Sequence, residues 1–125
     1  AKAVGVSNYE QSWMRRAFDA LAREGIHLAS NQVEYSLLNR KVEKNGLLQK
    51  CKELDVKLIA YSPLGMGLLT GKYTASNPPQ GIRASVVNYN RRRLEHMEPL
   101  MTLMKRIGSD HAGKTPAQVA LNWVI

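Results

Sequence analysis

The sequence predicts an α/β fold built on a parallel sheet. Apolar, strand-like runs occur at about Lys2–Val6, Leu28–Tyr35 and Val56–Tyr61, and segments with helical periodicity separate them. The runs begin about 26 to 28 residues apart, which is enough for a strand, a helix and two short loops, and therefore for crossovers between parallel strands. This alternation is typical of doubly wound sheets and of (β/α) barrels, and three units do not decide between them.

The two segments between the runs are predicted to be amphipathic helices that cover the sheet. In the first, the apolar face consists of Trp13, Ala17, Ala20 and Leu21, and Gly25 supplies the stop. In the second, the apolar positions are Leu47, Leu48, Cys51 and Leu54. Cys51 is therefore predicted to be a core thiol.

The pattern changes after the third run. Ser62–Asn90 is rich in Gly, Pro, Ser and Asn and has no sustained apolar period, and a loop of this length is usually functional. A helix follows with apolar positions Leu94, Met97, Met101 and Met104, whose methionines are interpreted as core filler. The last helix is predicted to start at Thr115, because Thr-x-x-Gln forms a capping box and Pro116 takes the first helical position.

Both ends of the chain are abrupt. Lys2–Val6 opens directly as a buried strand, and the last helix reaches Ile125 without a glycine cap or a polar tail. We therefore expect residues 1–125 to be an internal piece of one longer domain, or a truncated product. Alone, its strands would leave two sheet edges unpaired, and the side chains expected inside a barrel (Val4, Val33 and Ile59) would lack partners, so the isolated chain is expected to pack loosely or aggregate.

Composition excludes several classes of protein. With 125 residues, 44% hydrophobic and 22% charged, the chain is not intrinsically disordered. No apolar run approaches the roughly 18 residues of a membrane span, and no signal peptide is evident. A single cysteine allows no internal disulfide and suits a reducing, intracellular compartment. The net charge of +8 is scattered apart from Arg91–Arg93, so no nucleic-acid partner is expected.

Polar and aromatic side chains follow the strand-like runs, at the edge where both architectures bind ligands. Ser7 and Asn8 follow the first run, Gln32 lies near the end of the second, and Tyr61 and Ser62 end the third. Their hydroxyl and amide groups can read a carboxamide, and the tyrosine ring can stack on an aromatic ring. Each residue also has a local explanation, as a helix cap, a partner for the backbone or a core side chain.

The segment from Ser62 to Tyr73 is a candidate diphosphate cradle. Gly65, Gly67 and Gly71 let backbone amides approach an anion, and Lys72 can add positive charge. The spacing matches neither a P-loop nor a dinucleotide fingerprint. Metal ligation is not indicated, because the three histidines lie far apart and no pair has ligand spacing. The sequence thus contains binding groups without a recognisable reaction centre.

Four segments in order along the chain resemble signatures of the aldo-keto reductases. They are Gly5-Val6-Ser7-Asn8-Tyr9, Asn31-Gln32-Val33-Glu34-Tyr35-Ser36-Leu37-Leu38-Asn39-Arg40, Ala60-Tyr61-Ser62-Pro63-Leu64-Gly65 with Gly71-Lys72-Tyr73, and Thr115-Pro116-Ala117-Gln118-Val119-Ala120-Leu121-Asn122-Trp123. The loop Asn77-Pro78-Pro79-x-Gly81-x-Arg83 is similar to that of plant-type, plastid-associated members. The β-subunit of voltage-gated potassium channels is a more distant relative.

The resemblance implies an eight-stranded (β/α) barrel that uses NADPH to reduce aldehydes or ketones, with this chain supplying roughly the fifth to seventh strands. Ser7, Asn8 and Gln32 would hold the nicotinamide carboxamide, and Tyr61 would stack on the nicotinamide ring. The diphosphate would be lined by Ser62, Leu64, Gly65 and Gly67, with positive charge from Lys72 and Arg83. The family's catalytic Asp, Tyr, Lys and His lie on earlier strands, so the chain is expected to hold no catalytic residue and to be inactive alone.

Two functions remain open after this resemblance. The first is the cofactor-binding part of an NADPH-dependent reductase that acts on small carbonyl compounds. The alternative is a non-catalytic, nucleotide-binding regulatory subunit on the same fold, which the presence of the upstream tyrosine and lysine would discriminate. A doubly wound domain for a phosphorylated ligand is disfavoured, because Gly5-Val6-Ser7-Asn8 is not a glycine fingerprint. The preference for NADPH over NADH comes from the family alone, and the sequence carries no indication of oligomeric state.

Overall fold

The elements of the chain alternate between strand and helix in its first half and are helical in its second. A computed structural model describes residues 1–85 and 89–125. Its strands are β1 (Ala3–Ser7), β2 (His27–Glu34) and β3 (Lys57–Tyr61), and its α-helices are α1 (Gln11–Arg23), α2 (Lys41–Lys44), α3 (Leu47–Glu53), α4 (Arg91–Asp110) and α5 (Pro116–Val124). Two 3₁₀ helices span Gly65–Thr70 and Gly81–Ser85. The chain divides into two units, residues 1–62 and residues 63–125.

The strands form one parallel sheet in the order β1-β2-β3. This confirms the predicted crossovers, since consecutive strands are neighbours and each pair is parallel. Ser7 is in register with Gln32, and Gln32 with Ile59, so these three residues form one row across the sheet. One step further along, Glu34 is in register with Tyr61. The carboxyl ends of all three strands therefore meet at one edge.

The core of the first unit lies between the sheet and its helices. Its buried side chains are Met14, Leu28, Val33, Val42, Leu47, Cys51 and Val56. The prediction of a core thiol is confirmed, because Cys51 is 2% exposed and burial raises its pKa.

The buried face of α1 is shifted by one position from the predicted face. Met14 is fully buried, and Ala17, Phe18 and Leu21 pack beside it at helical spacing. Trp13 and Ala20, which were expected on this face, are exposed. The Trp13 ring instead lies under the Arg16 guanidinium, 4.8 Å from the ring centroid, a cation–π contact that suits an exposed aromatic ring.

The two faces of the sheet also differ from expectation. Val33 belongs to the helix-side core, and Val4 is in register with the buried Leu28. Of the three apolar side chains expected inside a barrel, Ile59 alone lies on the face away from the helices. It shares that face with Gln32. Because side chains alternate along a strand, the exposed Gln32 and the buried Val33 must face opposite ways.

The helices α1 and α3 end in the same motif. After α1, the amides of Ile26 and Gly25 donate to the carbonyls of Leu21 and Ala22, at 2.9 and 3.1 Å. Gly25 has φ +68°, so the predicted stop is confirmed as a Schellman motif. After α3, the amides of Val56 and Asp55 make the equivalent bonds to Cys51 and Lys52. Asp55 takes the left-handed position there, with φ +50°.

In the second unit, the predicted helices are present and the predicted loop is partly ordered into 3₁₀ turns. Leu68 and Leu69 in the first of these turns are buried; residues 86–88 of the predicted loop lie outside the described residues. The core methionines of α4 are confirmed, since Met97, Met101 and Met104 are all buried. The capping box of α5 is also confirmed by reciprocal side-chain to backbone bonds between Thr115 and Gln118.

Candidate ligand-binding edge of the sheet

The first connection after β1 is fastened to β2 by hydrogen bonds to one carbonyl. The Ser7 hydroxyl donates to the Gln32 carbonyl oxygen at 3.0 Å, and the Asn8 amide donates to the same oxygen at 2.8 Å. Asn8 has φ +58°, a left-handed conformation that asparagine tolerates better than other non-glycine residues. This local turn ends β1 and places Ser7 and Asn8 at the carboxyl edge, beside Gln32.

Tyr61 joins the same group from the far side of the sheet. Its hydroxyl donates to Asn8 Oδ1 at 3.2 Å, across 53 residues of sequence. The side-chain oxygen of Asn8 is thereby engaged, whereas no described residue bonds to its Nδ2 amino group. The structure thus brings four of the predicted residues together, on three strands of one unit: Ser7, Asn8, Gln32 and Tyr61.

The side-chain amide of Gln32 is exposed and has no hydrogen-bond partner in the part of the chain that the structure describes. It therefore offers both an acceptor oxygen and two N–H donors. Ser7 Oγ, whose hydrogen is already donated, offers lone pairs, and Asn8 Nδ2 offers hydrogens. Such a set can bind a group that donates and accepts hydrogen bonds at once, as a primary amide does.

Asn31 is a site-flanking residue that the sequence analysis did not identify. Its side chain is fully buried on the helix side of β2. Asn31 Nδ2 donates to the Tyr9 carbonyl at 2.8 Å, and Asn31 Oδ1 accepts from the Tyr9 amide at 3.4 Å. A signal existed in the sequence, because an amide residue in an apolar strand run must find polar partners when it is buried. The identity of those partners required the structure.

The connection after β2 is held by an ion pair. Arg40 Nη2 lies 2.6 Å from a carboxylate oxygen of Glu43, and the Tyr35 hydroxyl donates to the other oxygen at 2.8 Å. The Arg40 guanidinium, and after it the Tyr35 hydroxyl, lower the pKa of Glu43 below its ordinary value. Burial, followed by the bond to Glu43, raises the pKa of Tyr35. The Glu43 carboxylate thus links Tyr35, directly after β2, to Arg40 at the start of α2.

Ser62 closes the first unit, and the predicted cradle lies mostly in the second. Ser62 has φ +52°, and three successive residues, Gly65, Met66 and Gly67, have φ of +55°, +57° and +102°. They follow Leu64 at φ −94°. A change from right-handed to left-handed backbone gathers N–H groups into an anion-binding concavity. The Gly67 amide, however, already donates to the Leu64 carbonyl at 3.0 Å, so the diphosphate cradle stays a prediction.

The predicted cations of the second unit meet at one tyrosine. Lys72 Nζ lies 5.5 Å from the Tyr73 ring centroid, and Arg83 Nη1 donates to the Tyr73 hydroxyl at 3.4 Å. Arg83 Nη1 is also 3.6 Å from where a Cβ on Gly67 would stand. Tyr73 packs edge-on against Tyr89, whose hydroxyl donates to the Met66 carbonyl. The structure thus brings Gly67, Lys72 and Arg83 together around tyrosines that the sequence analysis had not assigned to the site.

The protein-family model described as the aldo/keto reductase family matches residues 1–125 of this chain. The chain belongs to the aldo/keto reductase family. Its sheet edge and glycine turn are therefore parts of an aldo/keto reductase fold.

Individual aldo/keto reductases are similar to it over a third of their length. A chloroplastic pyridoxal reductase of Arabidopsis thaliana is 43% identical over 124 residues, which are 99% of this chain and 33% of that protein. The L-glyceraldehyde 3-phosphate reductase of Escherichia coli K12 is 32% identical over 130 residues, covering 98% of this chain and 36% of the enzyme. The chain therefore spans about a third of the relatives it matches.

A solved structure confirms the predicted fold. The glycerol dehydrogenase of Gluconobacter oxydans matches 98% of this chain, and 36% of its own, with a TM-score of 0.79 and 27% identity. The chain is part of a (β/α)₈ barrel, which resolves the choice between a barrel and a doubly wound sheet. In residues 1–85 and 89–125 there is no cluster of three metal-ligating side chains, and no helix there has the length and apolarity to cross a membrane.

Proposed function

We propose that the polypeptide carrying this segment is an NADPH-dependent oxidoreductase that reduces aldehydes or ketones. Residues 1–125 supply the nicotinamide and diphosphate contacts within a single barrel domain. The names of the relatives, a pyridoxal reductase and an L-glyceraldehyde 3-phosphate reductase, support an oxidoreductase role. The observation that carries the proposal is the group of partly unsatisfied amides at the carboxyl edge of β1 and β2.

That group is complementary to a nicotinamide carboxamide. A carboxamide presents one acceptor oxygen and one amino group with two hydrogens. Asn8 Nδ2 supplies a donor for the oxygen, because Asn8 Oδ1 is already engaged by Tyr61. Ser7 Oγ and the Gln32 amide oxygen supply acceptors for the amino group, because the Ser7 hydrogen is already given to the Gln32 carbonyl. Donors and acceptors of the two partners balance.

Tyr61 supplies an aromatic surface beside these amides. Its hydroxyl donates to Asn8 Oδ1, which fixes the outer edge of the ring. An aromatic ring is a suitable platform for the flat nicotinamide, by offset stacking. The proposed role of Tyr61 is to orient the ring whose carboxamide the three other residues bind.

The diphosphate contacts are assigned to Ser62, Leu64, Gly65 and Gly67, with Lys72 and Arg83 neutralising charge. Because the Gly67 amide already donates to the Leu64 carbonyl, Gly67 contributes close backbone approach rather than an N–H donor. Support comes from the run of positive φ angles and from the gathering of both cations at Tyr73. Arginine and lysine near a phosphate form charge-assisted hydrogen bonds, which are stronger than neutral ones.

The bound cofactor supplies the hydride, and this segment binds and orients it. No side chain here is assigned as a proton donor; the family resemblance places that tyrosine outside residues 1–125. Catalysis by the whole polypeptide therefore requires a proton donor that lies outside residues 1–125.

The proposal is tested by replacing Gln32 in the native polypeptide. The change Gln32→Ala removes the one hydrogen bond assigned to its amide oxygen, with a net value of about 0.5–1.5 kcal/mol. We expect the Kd for NADPH, measured by fluorescence titration, to rise by a factor of about two to ten. The matched control is Gln49→Ala, since Gln49 is an exposed amide on α3, and its affinity should equal that of wild type.

The same titration separates the competing outcomes. An unchanged Kd in Gln32→Ala would refute the assignment of the carboxamide site. NADPH binding without reduction of any aldehyde or ketone would favour the regulatory, non-catalytic alternative. A native polypeptide that does not bind NADPH at all would overturn the proposed function.

A further inference from the structure

Asn31 and Gln32 are consecutive residues of β2 that face opposite sides of the sheet. The Gln32 side chain is exposed, whereas Asn31 is 0% exposed and lies in the helix-side core. Alternation along a strand produces this division. The sequence predicts a role for Gln32, whereas the buried Asn31 amide beside it has no role in that prediction.

A buried amide is unfavourable unless its hydrogen-bonding groups are satisfied. Asn31 meets this condition through one neighbouring residue, because it bonds both the amide and the carbonyl of Tyr9, at 3.4 and 2.8 Å. Its amino group also contacts the Met14 sulfur at 3.6 Å. Asn31 therefore fixes the peptide groups on both sides of Tyr9 in position and orientation.

The residue that precedes Tyr9 is Asn8, which carries one of the proposed carboxamide contacts. Asn8 has φ +58°, a conformation that a non-glycine residue keeps only where its surroundings specify it. Its own amide is bonded to the Gln32 carbonyl, and the peptide that follows Asn8 includes the Tyr9 amide bonded by Asn31. Both ends of Asn8 are thus attached to β2, one through the backbone and one through the Asn31 side chain.

We propose that Asn31 is a positioning residue that orients Asn8 for the cofactor carboxamide. The inference rests on the proposed function. The two consecutive amides of β2 then act on opposite faces of the sheet: Gln32 contacts the ligand, and Asn31 holds the loop that carries a second ligand contact. Loss of Asn31 weakens binding at the nicotinamide end of the cofactor and leaves the adenosine end unaffected.

The test compares two ligands on the same native polypeptide. NADPH carries the nicotinamide, whereas adenosine 2′,5′-bisphosphate lacks it, and the ratio of their Kd values does not depend on how much protein is folded. The variant Asn31→Leu keeps the branching of the side chain and removes its hydrogen-bonding atoms. We expect NADPH to bind up to about tenfold more weakly, as for the loss of the one ligand hydrogen bond assigned to Asn8, and the bisphosphate to bind within twofold of wild type.

A control variant addresses general damage to the core. Cys51 is buried in the same cluster, its sulfur contacts Met14 at 3.6 Å, and it makes no hydrogen bond to the Tyr9 backbone within the described part of the chain. Cys51→Ala should therefore leave the ratio of the two Kd values at the wild-type value. If Asn31→Leu does not fold, Asn31→Ser serves in its place, since its short hydroxyl cannot bond both Tyr9 groups and the ratio should shift in the same direction.

The Kd ratios distinguish the positioning role of Asn31 from the proposed function. A shift in the ratio for the Asn31 variant alone supports the positioning role. An unchanged ratio, or an equal shift in Cys51→Ala, overturns that role and leaves the proposed function intact, because wild type still binds NADPH. Failure of the wild-type protein to bind either ligand overturns the proposed function, and the inference with it.

Discussion

Replacing Tyr61 by phenylalanine separates the two contributions that this residue is proposed to make. The change removes the hydroxyl that donates to Asn8 Oδ1 at 3.2 Å and keeps the ring. A hydrogen bond of this kind contributes about 0.5–1.5 kcal/mol net, and the long distance and partial exposure favour the lower end. Because the bond orients Asn8 without touching the ligand, we expect NADPH affinity to fall by a factor of about two to five.

Replacing Tyr61 by alanine removes the ring as well. A stacked aromatic pair contributes about 0.5–1.5 kcal/mol beyond the area it buries, and the buried apolar area of the ring adds about 25 cal/mol per Å². The total loss, including the hydrogen bond, is about 2–3 kcal/mol, which corresponds to an affinity reduced by roughly 30- to 150-fold. The alanine variant should therefore be much weaker than the phenylalanine variant.

The assay is a fluorescence titration of the native polypeptide and its variants with NADPH. Tyr35→Phe is the matched control, because it loses a hydroxyl bonded to Glu43 at 2.8 Å without altering the proposed site. Its affinity should equal that of wild type. Equal losses in the phenylalanine and alanine variants would show that the hydroxyl matters and the ring does not, which would refute the stacking assignment.

Further predictions concern stability. Arg40 holds the pKa of Glu43 below its ordinary 4.5. The interaction therefore stabilises the fold above pH 4.5, and this stabilisation is lost as the pH falls through the lowered pKa. Glu43→Gln should reduce the fall in Tm on acidification from about pH 5 to about 3. Asp55→Gly should raise the free energy of unfolding by up to about 1 kcal/mol, because φ is +50° there; a lower denaturant midpoint would contradict this. Gly108→Ala should lower the denaturant midpoint, because the new Cβ would lie 1.9 Å from the Lys114 carbonyl oxygen. This clash outweighs the gain of about 1 kcal/mol in helix propensity. An unchanged midpoint would refute the clash.

The strands, their parallel pairing and the main helices were predictable because each depends on local pattern or spacing. Gly25 ends α1 as its sequence signal indicates, and Thr115 and Gln118 form the predicted capping box. The register of α1 was less predictable. Trp13 is apolar enough to count toward a buried face, yet Met14 takes the core position because Ala17, Phe18 and Leu21 all lie at helical spacing from Met14.

The face of each strand could not be read from hydrophobicity alone. Val33 was expected inside a barrel because it is apolar, but it packs against the helices and Gln32 takes the opposite face. Both faces of a helix-covered parallel sheet can carry apolar side chains, so apolarity alone does not tell which face Val33 takes. Contacts between distant segments, such as Tyr61 with Asn8, were also inaccessible, because pairing across 53 residues depends on the register of three strands.

The constraints on Asn8 explain why binding groups gather on this turn. A left-handed backbone is unfavourable for a non-glycine residue, and three contacts offset that cost here. The Asn8 amide donates to the Gln32 carbonyl, Asn8 Oδ1 accepts from the Tyr61 hydroxyl, and the Asn31 side chain bonds both backbone groups of Tyr9. A side chain fixed before the ligand arrives loses little conformational entropy on binding. The strained turn and the buried amide are thus two parts of one arrangement, which in the proposed function orients the Asn8 amide before the cofactor binds.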